Sequence, residues 1–533
     1  MKNLDVGLSQ ASVFLLACFF ICYYILLKKH GHRAPPGPRP IPILGNLFDL
    51  PPPGTVEYRH WLTHKDKYGP ISSVTLMGKM LVILHDKEAA RDLLERKAVE
   101  TSDRPAWEFG SRLCGYGNLL SSSQYNDYFR RGRKFYHHQL GQRAQNHEVI
   151  EVEVRRFIRR VLNEPENLHQ HIKLQTGSII LRMTYGYAIE RNKSDPLVSL
   201  VEQMMANMSV ANVPLTWAVD TVQCLNYLPE SFPGMSFKQT ARQWRKRVEA
   251  VAEVPYSFVR RQMDAKMHRP SFVSQLVDKL GHDSKLSAED EYAIKWSAAT
   301  IYAAGSDSTV LAIRSAILAL IMFPEVQRKA HEEIDRVIGS HRLPSFQDRA
   351  TLPYIEGMVK EAIRWIPITP MGFAHATTKD INYNDYLIPS GTYLLPAMWW
   401  FLHDPQVYKD PGSFNPERYL EPYREPDPST VAFGYGRRVC PGRFFADQSV
   451  FLFIAQTLAA FTVSKAVDEQ GVEMEVKLEI TPGVASHLTD FPYKIEPRSV
   501  EWADLVKGLS IEQDWEKSDA GSLEGALSGL LKP

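Results

Sequence analysis

The run Phe433-Gly434-Tyr435-Gly436-Arg437-Arg438-Val439-Cys440-Pro441-Gly442 decides how this chain is read. Two glycines lead into a pair of arginines, and a Pro-Gly follows the cysteine. Glycine lets backbone approach a flat ligand closely and adopt positive φ. Arginine forks onto carboxylates. A cysteine thiolate is a soft metal ligand. An isolated cysteine in a glycine-rich turn is usually a buried structural residue. Here the flanks follow the ten-residue pattern Phe-Gly-x-Gly-x-Arg-x-Cys-x-Gly, which favours the ligand reading.

By that pattern the chain resembles the cytochromes P450, a family of heme-thiolate monooxygenases. The resemblance runs from the proline-rich segment near residue 35 to about residue 500. It implies a mainly α fold with a small β-rich lobe, holding heme b (iron protoporphyrin IX). Cys440 would be the iron ligand, pushing electron density toward bound oxygen. Phe433, Gly434, Gly436, Arg438 and Gly442 would shape the cofactor cradle around it.

The chain has 533 residues and a formal net charge of +1. Nothing in that charge suggests a nucleic-acid partner. No polar, Gly/Ser-rich linker interrupts residues 45–500, so one large domain is expected there. The five cysteines are scattered and odd in number, which fits a reducing compartment rather than a disulfide framework. No zinc-ligand spacing, Gly-x-Ser-x-Gly elbow or dinucleotide Gly-x-Gly-x-x-Gly fingerprint is present.

Residues 11–27 carry no charge, and Lys28, Lys29 and Arg33 follow at once. A cleaved signal peptide has its positive charge before the apolar run. The order here reads as a transmembrane signal anchor, with residues 1–10 luminal and everything after Lys28 cytosolic. The expected location is the endoplasmic reticulum membrane. Residues 28–44 are basic and then proline-rich, a stiff hinge. The polar stretch 501–533 reads as a flexible tail.

Residues 71–85 read as two strands with a turn at Gly78-Lys79, and residues 381–397 as further short strands. The longest helix starts after Ser287, whose hydroxyl could cap it, and ends near Phe323, before Pro324. At 1.5 Å per residue it spans roughly 50 Å. In its middle lies Ala304-Gly305-Ser306-Asp307-Ser308-Thr309, a polar weak point in an apolar helix. The resemblance makes this an oxygen groove. Gly305 would provide room, Asp307 would be the proton-relay acid, and Ser308 would stand in the usual threonine place, with Thr309 able to share that role.

Glu361 and Arg364 are an acid–base pair one helical turn apart, a spacing worth little by itself. The resemblance adds Arg418, in Phe414-Asn415-Pro416-Glu417-Arg418-Tyr419, as a third buried partner with a structural role. It also makes Arg438, Arg133 and His375 candidates for the two heme propionates. Phe129 replaces the tryptophan often found four residues before that arginine, which removes an indole donor.

Without a flavin or NADPH domain, electrons must come from another protein, an NADPH-cytochrome P450 reductase. Arg130, Arg131, Lys134, Arg437 and Arg443 could form a docking face for it, or be merely solvated. The segments expected to meet substrate are roughly residues 107–120, 205–228, 301–304 and 368–373. They are apolar and aromatic, pointing to a hydrophobic small molecule oxidised with O2. The overall pattern resembles fungal enzymes of secondary metabolism, with a terpenoid substrate favoured. Two alternatives stay open: a heme-thiolate isomerase or dehydratase that uses no O2, and a non-catalytic heme sensor.

Overall fold

The computed structural model describes residues 34–52, 54–142, 146–190, 194–281, 286–509 and 517–527. The anchor at 11–27, the luminal residues and the basic start of the hinge lie outside the described residues. The architecture is mainly helical with three small sheets, as expected.

The long helix, Ala288–Met322, forms the axis. Ser287 Oγ accepts from the Asp290 N–H at 3.1 Å, and Glu289, Asp290 and Glu291 favour the positive end of the helix dipole. The helix is long and apolar enough to cross a membrane, but its apolar window is mostly buried inside the protein. It is a core helix. Its main neighbour is the helix Leu168–Tyr185. A Cβ on Gly305 would sit 2.5 Å from Ile180 Cδ1 on that helix. The space on the Cβ side of Gly305 is therefore filled by Ile180, and the glycine allows these two helices to pack closely.

Strands β1 (Ile71–Leu76) and β2 (Lys79–Leu84) form a hairpin. Its turn is Met77-Gly78, one residue earlier than the sequence suggests. Both residues have positive φ (45° and 84°), as a type I′ turn requires. Strands β3 (His375–Ala376), β4 (Ile381–Tyr383), β5 (Tyr386–Ile388) and β6 (Tyr393–Pro396) follow. The four-stranded sheet runs β1-β2-β6-β3, with β2 parallel to β6 and Val82 opposite Leu394. Leu81 and Ile83 enter one apolar cluster and Val82 and Leu84 another, so both faces of this sheet are covered. Strands β7 (Phe461–Ser464) and β8 (Lys494–Pro497) pair near the C-terminus.

From residue 34 the hinge is not a free spacer. The carbonyls of Pro35 and Pro36 accept from Ser73 Oγ (2.6 Å) and Ser73 N (2.7 Å), covering the open edge of β1. A Cβ on Gly37 would lie 1.9 Å from the Ser73 carbonyl oxygen, so only glycine permits this docking.

The tail expected to be flexible is also docked. Ser499 caps a helix, Val500–Lys507, that buries Trp502 and Val506. Farther on, Asp519 accepts from Ala188 N at 2.9 Å and pairs with Arg269 at 2.8 Å, while Leu523 and Leu527 are buried. The composition is polar, but spaced apolar side chains suffice to anchor it. Replacing Trp502 by Ala is expected to cost about 3 kcal/mol. Urea unfolding followed by circular dichroism checks this, and an unchanged midpoint would show the tail to be unattached.

Candidate active site

The cysteine loop is closed by its own ends. Cys440 N donates to the Phe433 carbonyl at 2.8 Å. Gly434 (φ 77°) and Gly436 (φ 55°) turn the chain through left-handed conformations. A Cβ on Gly436 would lie 2.4 Å from the Leu94 carbonyl oxygen, so the loop packs against that backbone only with glycine there. Gly442 precedes the helix Arg443–Ala460 and has ordinary φ, and its missing Cβ would stand 3.9 Å from Cys440 Sγ. Cys440 is enclosed by protein yet partly accessible, as a side chain facing an internal space is. Burial pushes its thiol up, while the Gly442 N–H and the charges of Arg133 and Arg443 act in the opposite sense.

Arg438 points away from solvent. Its donors reach the carbonyls of Ser102 (2.7 Å), Ser123 (2.8 Å) and Leu120 (3.3 Å). Its guanidinium lies 3.9 Å from the Phe129 ring centroid, so the phenyl that replaces the usual tryptophan offers a π face instead of a donor. Arg133 donates to the Val439 carbonyl at 2.8 Å, bracing the residue before the cysteine. His375 is buried, with Nδ1 2.9 Å from the Thr101 carbonyl.

A third arginine joins them that the sequence did not single out. Arg104 donates to the carbonyls of Ser121, Phe373 and Ala374, each at 2.9 Å. Burial first, then Arg438, holds its pKa well below the usual value. Burial also pushes Arg438 down to about 10. His375 lies well below the ordinary imidazole value, because of burial and then Arg104. Among the described residues none of Arg104, Arg133, Arg438 or His375 forms an ion pair. Buried guanidinium without an ion-pair partner is costly. A flat ligand with two carboxylates and a thiolate-seeking metal supplies what this donor set lacks, so the residues fit heme.

The middle of the long helix also opens. Ala304 to Ser308 regain accessibility in an otherwise buried stretch, while Thr309 is only 4% exposed. Ser308 Oγ donates to the Ala304 carbonyl at 2.8 Å, which fixes its rotamer without a methyl group. Ser306 Oγ is buried without a partner. Asp307 is engaged by a residue that no motif pointed to, His487, whose Nε2 lies 3.0 and 3.1 Å from its two carboxylate oxygens.

Beside Arg104 lies a cavity of about 870 Å³. Trp107, Leu215, Trp217, Met371 and Phe373 give it an apolar wall, as expected from three of the four substrate segments. Residues 301–304 do not line it. The helix Glu57–Tyr68 and the turn Pro482-Gly483-Val484 do, and sequence gave no sign of either.

Glu361 and Arg364 are fully buried and Arg418 nearly so. Arg364 Nε donates to Glu361 Oε2 at 2.6 Å, and Arg418 Nε donates to Oε1. Burial pushes the Glu361 carboxyl up, and the two guanidiniums pull it down. Glu425 accepts from Arg418 Nη1 at 2.6 Å, so two carboxylates face two guanidiniums. The proposed docking face is narrower than the sequence suggests. Asp127 offsets Arg130 and Asp290 offsets Arg131, leaving Lys134, Arg437 and Arg443 exposed. Replacing Glu361 by Gln strands buried positive charge and is expected to cost about 3–5 kcal/mol. Thermal unfolding and heme content per chain read the loss, and retention of both refutes the structural role.

The comparisons agree with this geometry. Residues 35–485 match the cytochrome P450 family. The chain is 52% identical to the multifunctional cytochrome P450 monooxygenase af510 of Aspergillus fumigatus, across 97% of this chain and 99% of that one. It is 48% identical to the cytochrome P450 monooxygenase CLM2 of Gibberella zeae, across 95% and 96%. The O-methylsterigmatocystin oxidoreductase of Aspergillus flavus is 35% identical, across 91% and 92%. With a heme-ready cleft, a matching fold and monooxygenases as its relatives, the chain belongs to the cytochrome P450 family of heme monooxygenases.

Proposed function

We propose that this monooxygenase oxidises a hydrophobic small molecule of fungal secondary metabolism, a terpenoid scaffold above others, with electrons from an NADPH-cytochrome P450 reductase. The buried cluster of Arg104, Arg438 and His375 beside the Cys440 loop, in which no ion pair forms among the described residues, supports this reading. Cys440 would hold the iron as thiolate, and Arg104, Arg438, Arg133 and His375 the propionates. Bound heme supplies oxygen activation and the oxidising power for C–H attack.

The protein's own residues do the rest. Asp307 and Ser308 carry protons to the open stretch of the long helix, with Thr309 buried behind them. The net reaction joins substrate, O2, NADPH and a proton to give hydroxylated product, water and NADP+. The size and aromatic lining of the cavity favour a bulky apolar substrate. Exposed Phe48 and Val210 border that cavity, which supports a mouth facing a lipid bilayer. Lys134, Arg437 and Arg443 support docking of an acidic reductase.

Cys440→His is expected to abolish turnover and the red-shifted band of the reduced carbon monoxide complex. Full activity in that variant would remove Cys440 from the reaction. Co-expression with a reductase, followed by untargeted product analysis on terpenoid, indole and polyketide scaffolds, tests the substrate class. Oxidation of a polyketide or indole alone would replace the terpenoid assignment. Raising salt is expected to slow reductase-dependent reduction several-fold, and stopped-flow rates that ignore ionic strength would discard the basic face.

A further inference from the structure

His487 belongs to no recognised motif, yet it makes both polar contacts recorded for the Asp307 carboxylate. Its side chain is 31% exposed and that of Asp307 is 18% exposed. The ring therefore touches the acid on one edge and keeps part of its surface accessible. It sits on a turn that several elements hold in place. Gly483 N donates to Glu57 Oε2 at 3.1 Å, Ala485 N to Ser209 Oγ at 3.1 Å, and Ser486 N to the Ile368 carbonyl at 2.8 Å. Thr481 N donates to the carbonyl of His487 itself at 2.9 Å. Gly483 (φ 130°) is required, since a Cβ there would meet Ser209 Oγ at 2.2 Å.

Three charged groups face the imidazole. Asp307 and Arg314 come from the long helix, and Glu202 comes from the helix Pro196–Ala211. Arg314 is paired with Asp490 at 2.8 Å and Glu202 with Lys173 at 2.5 Å. Burial opposes the imidazolium, but the hydrogen bond and charge of Asp307 outweigh it, and the pKa lies above the ordinary 6.5.

We propose that His487 is the positioning residue of proton delivery, holding the Asp307 carboxylate at rest and recharging it from solvent. This rests on the reading of Asp307 as the relay acid. The Nε2–H bond breaks and an O–H bond forms on Asp307, which neutralises both partners. Loss of the charge attraction frees the protonated acid to turn toward Ser308. Nε2 then regains a proton from water, and the emptied carboxylate returns to the imidazolium. One proton moves from solvent to the cleft per cycle.

The test needs no known substrate. The full-length enzyme with reductase and NADPH consumes one NADPH per O2 when hydrogen peroxide leaves, and two when oxygen is reduced to water. Starved proton delivery shifts the ratio toward peroxide. In the wild type the peroxide share is expected to rise between about pH 6 and 9, as the imidazolium is lost. His487→Gln keeps a hydrogen-bond donor but no titrating proton. It is expected to raise the peroxide share several-fold at the acid end and flatten the profile, with the carbon monoxide band intact. Asp307→Asn is expected to do the same, with no further effect when the two are combined.

A wild-type ratio and profile in His487→Gln, with Asp307→Asn impaired, overturns the role of His487 and leaves the relay standing. A wild-type Asp307→Asn overturns the relay and this proposal with it. Should His487→Gln not fold, carbon-13 histidine titration of the wild type and Asp307→Asn decides. The His487 pKa is expected above 6.5 in the former and lower in the latter. Identical titrations overturn the proposal.

Discussion

The carboxylate of Glu361, held between two guanidiniums at zero exposure, fixes the part of the chain on which the cysteine loop stands. Arg364 comes from the same helix, and Arg418 from 57 residues away in sequence. Their remaining donors reach the carbonyls of Leu402, Lys409, Pro411 and Ser413. Ion pairs at this depth add little net stability, because desolvation consumes most of the attraction. What they supply is a single acceptable arrangement. Any other packing of residues 402–425 leaves charges or donors unmet inside the protein. The loop at 433–442 follows directly and inherits that position.

The protein holds two kinds of buried cationic cluster, and the contrast between them is informative. Around Glu361 the positive charges are balanced by carboxylates, with Glu425 supplying the second one. Around the cleft, the hydrogen bonds of Arg104, Arg438 and His375 go to backbone carbonyls, and among the described residues none of the three forms an ion pair. Both clusters obey the rule that buried polar groups are hydrogen-bonded. Only the first also neutralises its charge. The second stabilises whatever anion enters, and the same residues pay for this with depressed affinity for their own protons until it does.

Legibility in the sequence followed the range of the interactions. The long helix could be bounded to within a residue, because its serine cap and terminating proline are local signals. The cysteine loop was legible because its glycines answer to backbone geometry. Arg104 and His487 were not, since their partners are backbone carbonyls or a residue far away in the chain, and neither leaves a local pattern. Gly305 shows a different limit. A mid-helix glycine signals close approach but not what approaches, and here that is Ile180. The tail misled through composition, because Trp502, Leu523 and Leu527 anchor it without forming an apolar run.

The turn at 482–487 joins two functions that the sequence keeps apart. Pro482, Gly483 and Val484 form part of the cavity wall, and His487, three residues on, grips Asp307. Between them Ala485 and Ser486 are tied to Ser209 and Ile368. A segment this short with this many backbone hydrogen bonds cannot move at one end only. A bulky molecule pressing on Val484 loads the same hydrogen bonds that aim the imidazole. One wall of the cavity and the hydrogen-bond partner of Asp307 therefore share a single support, a short turn outside the long helix.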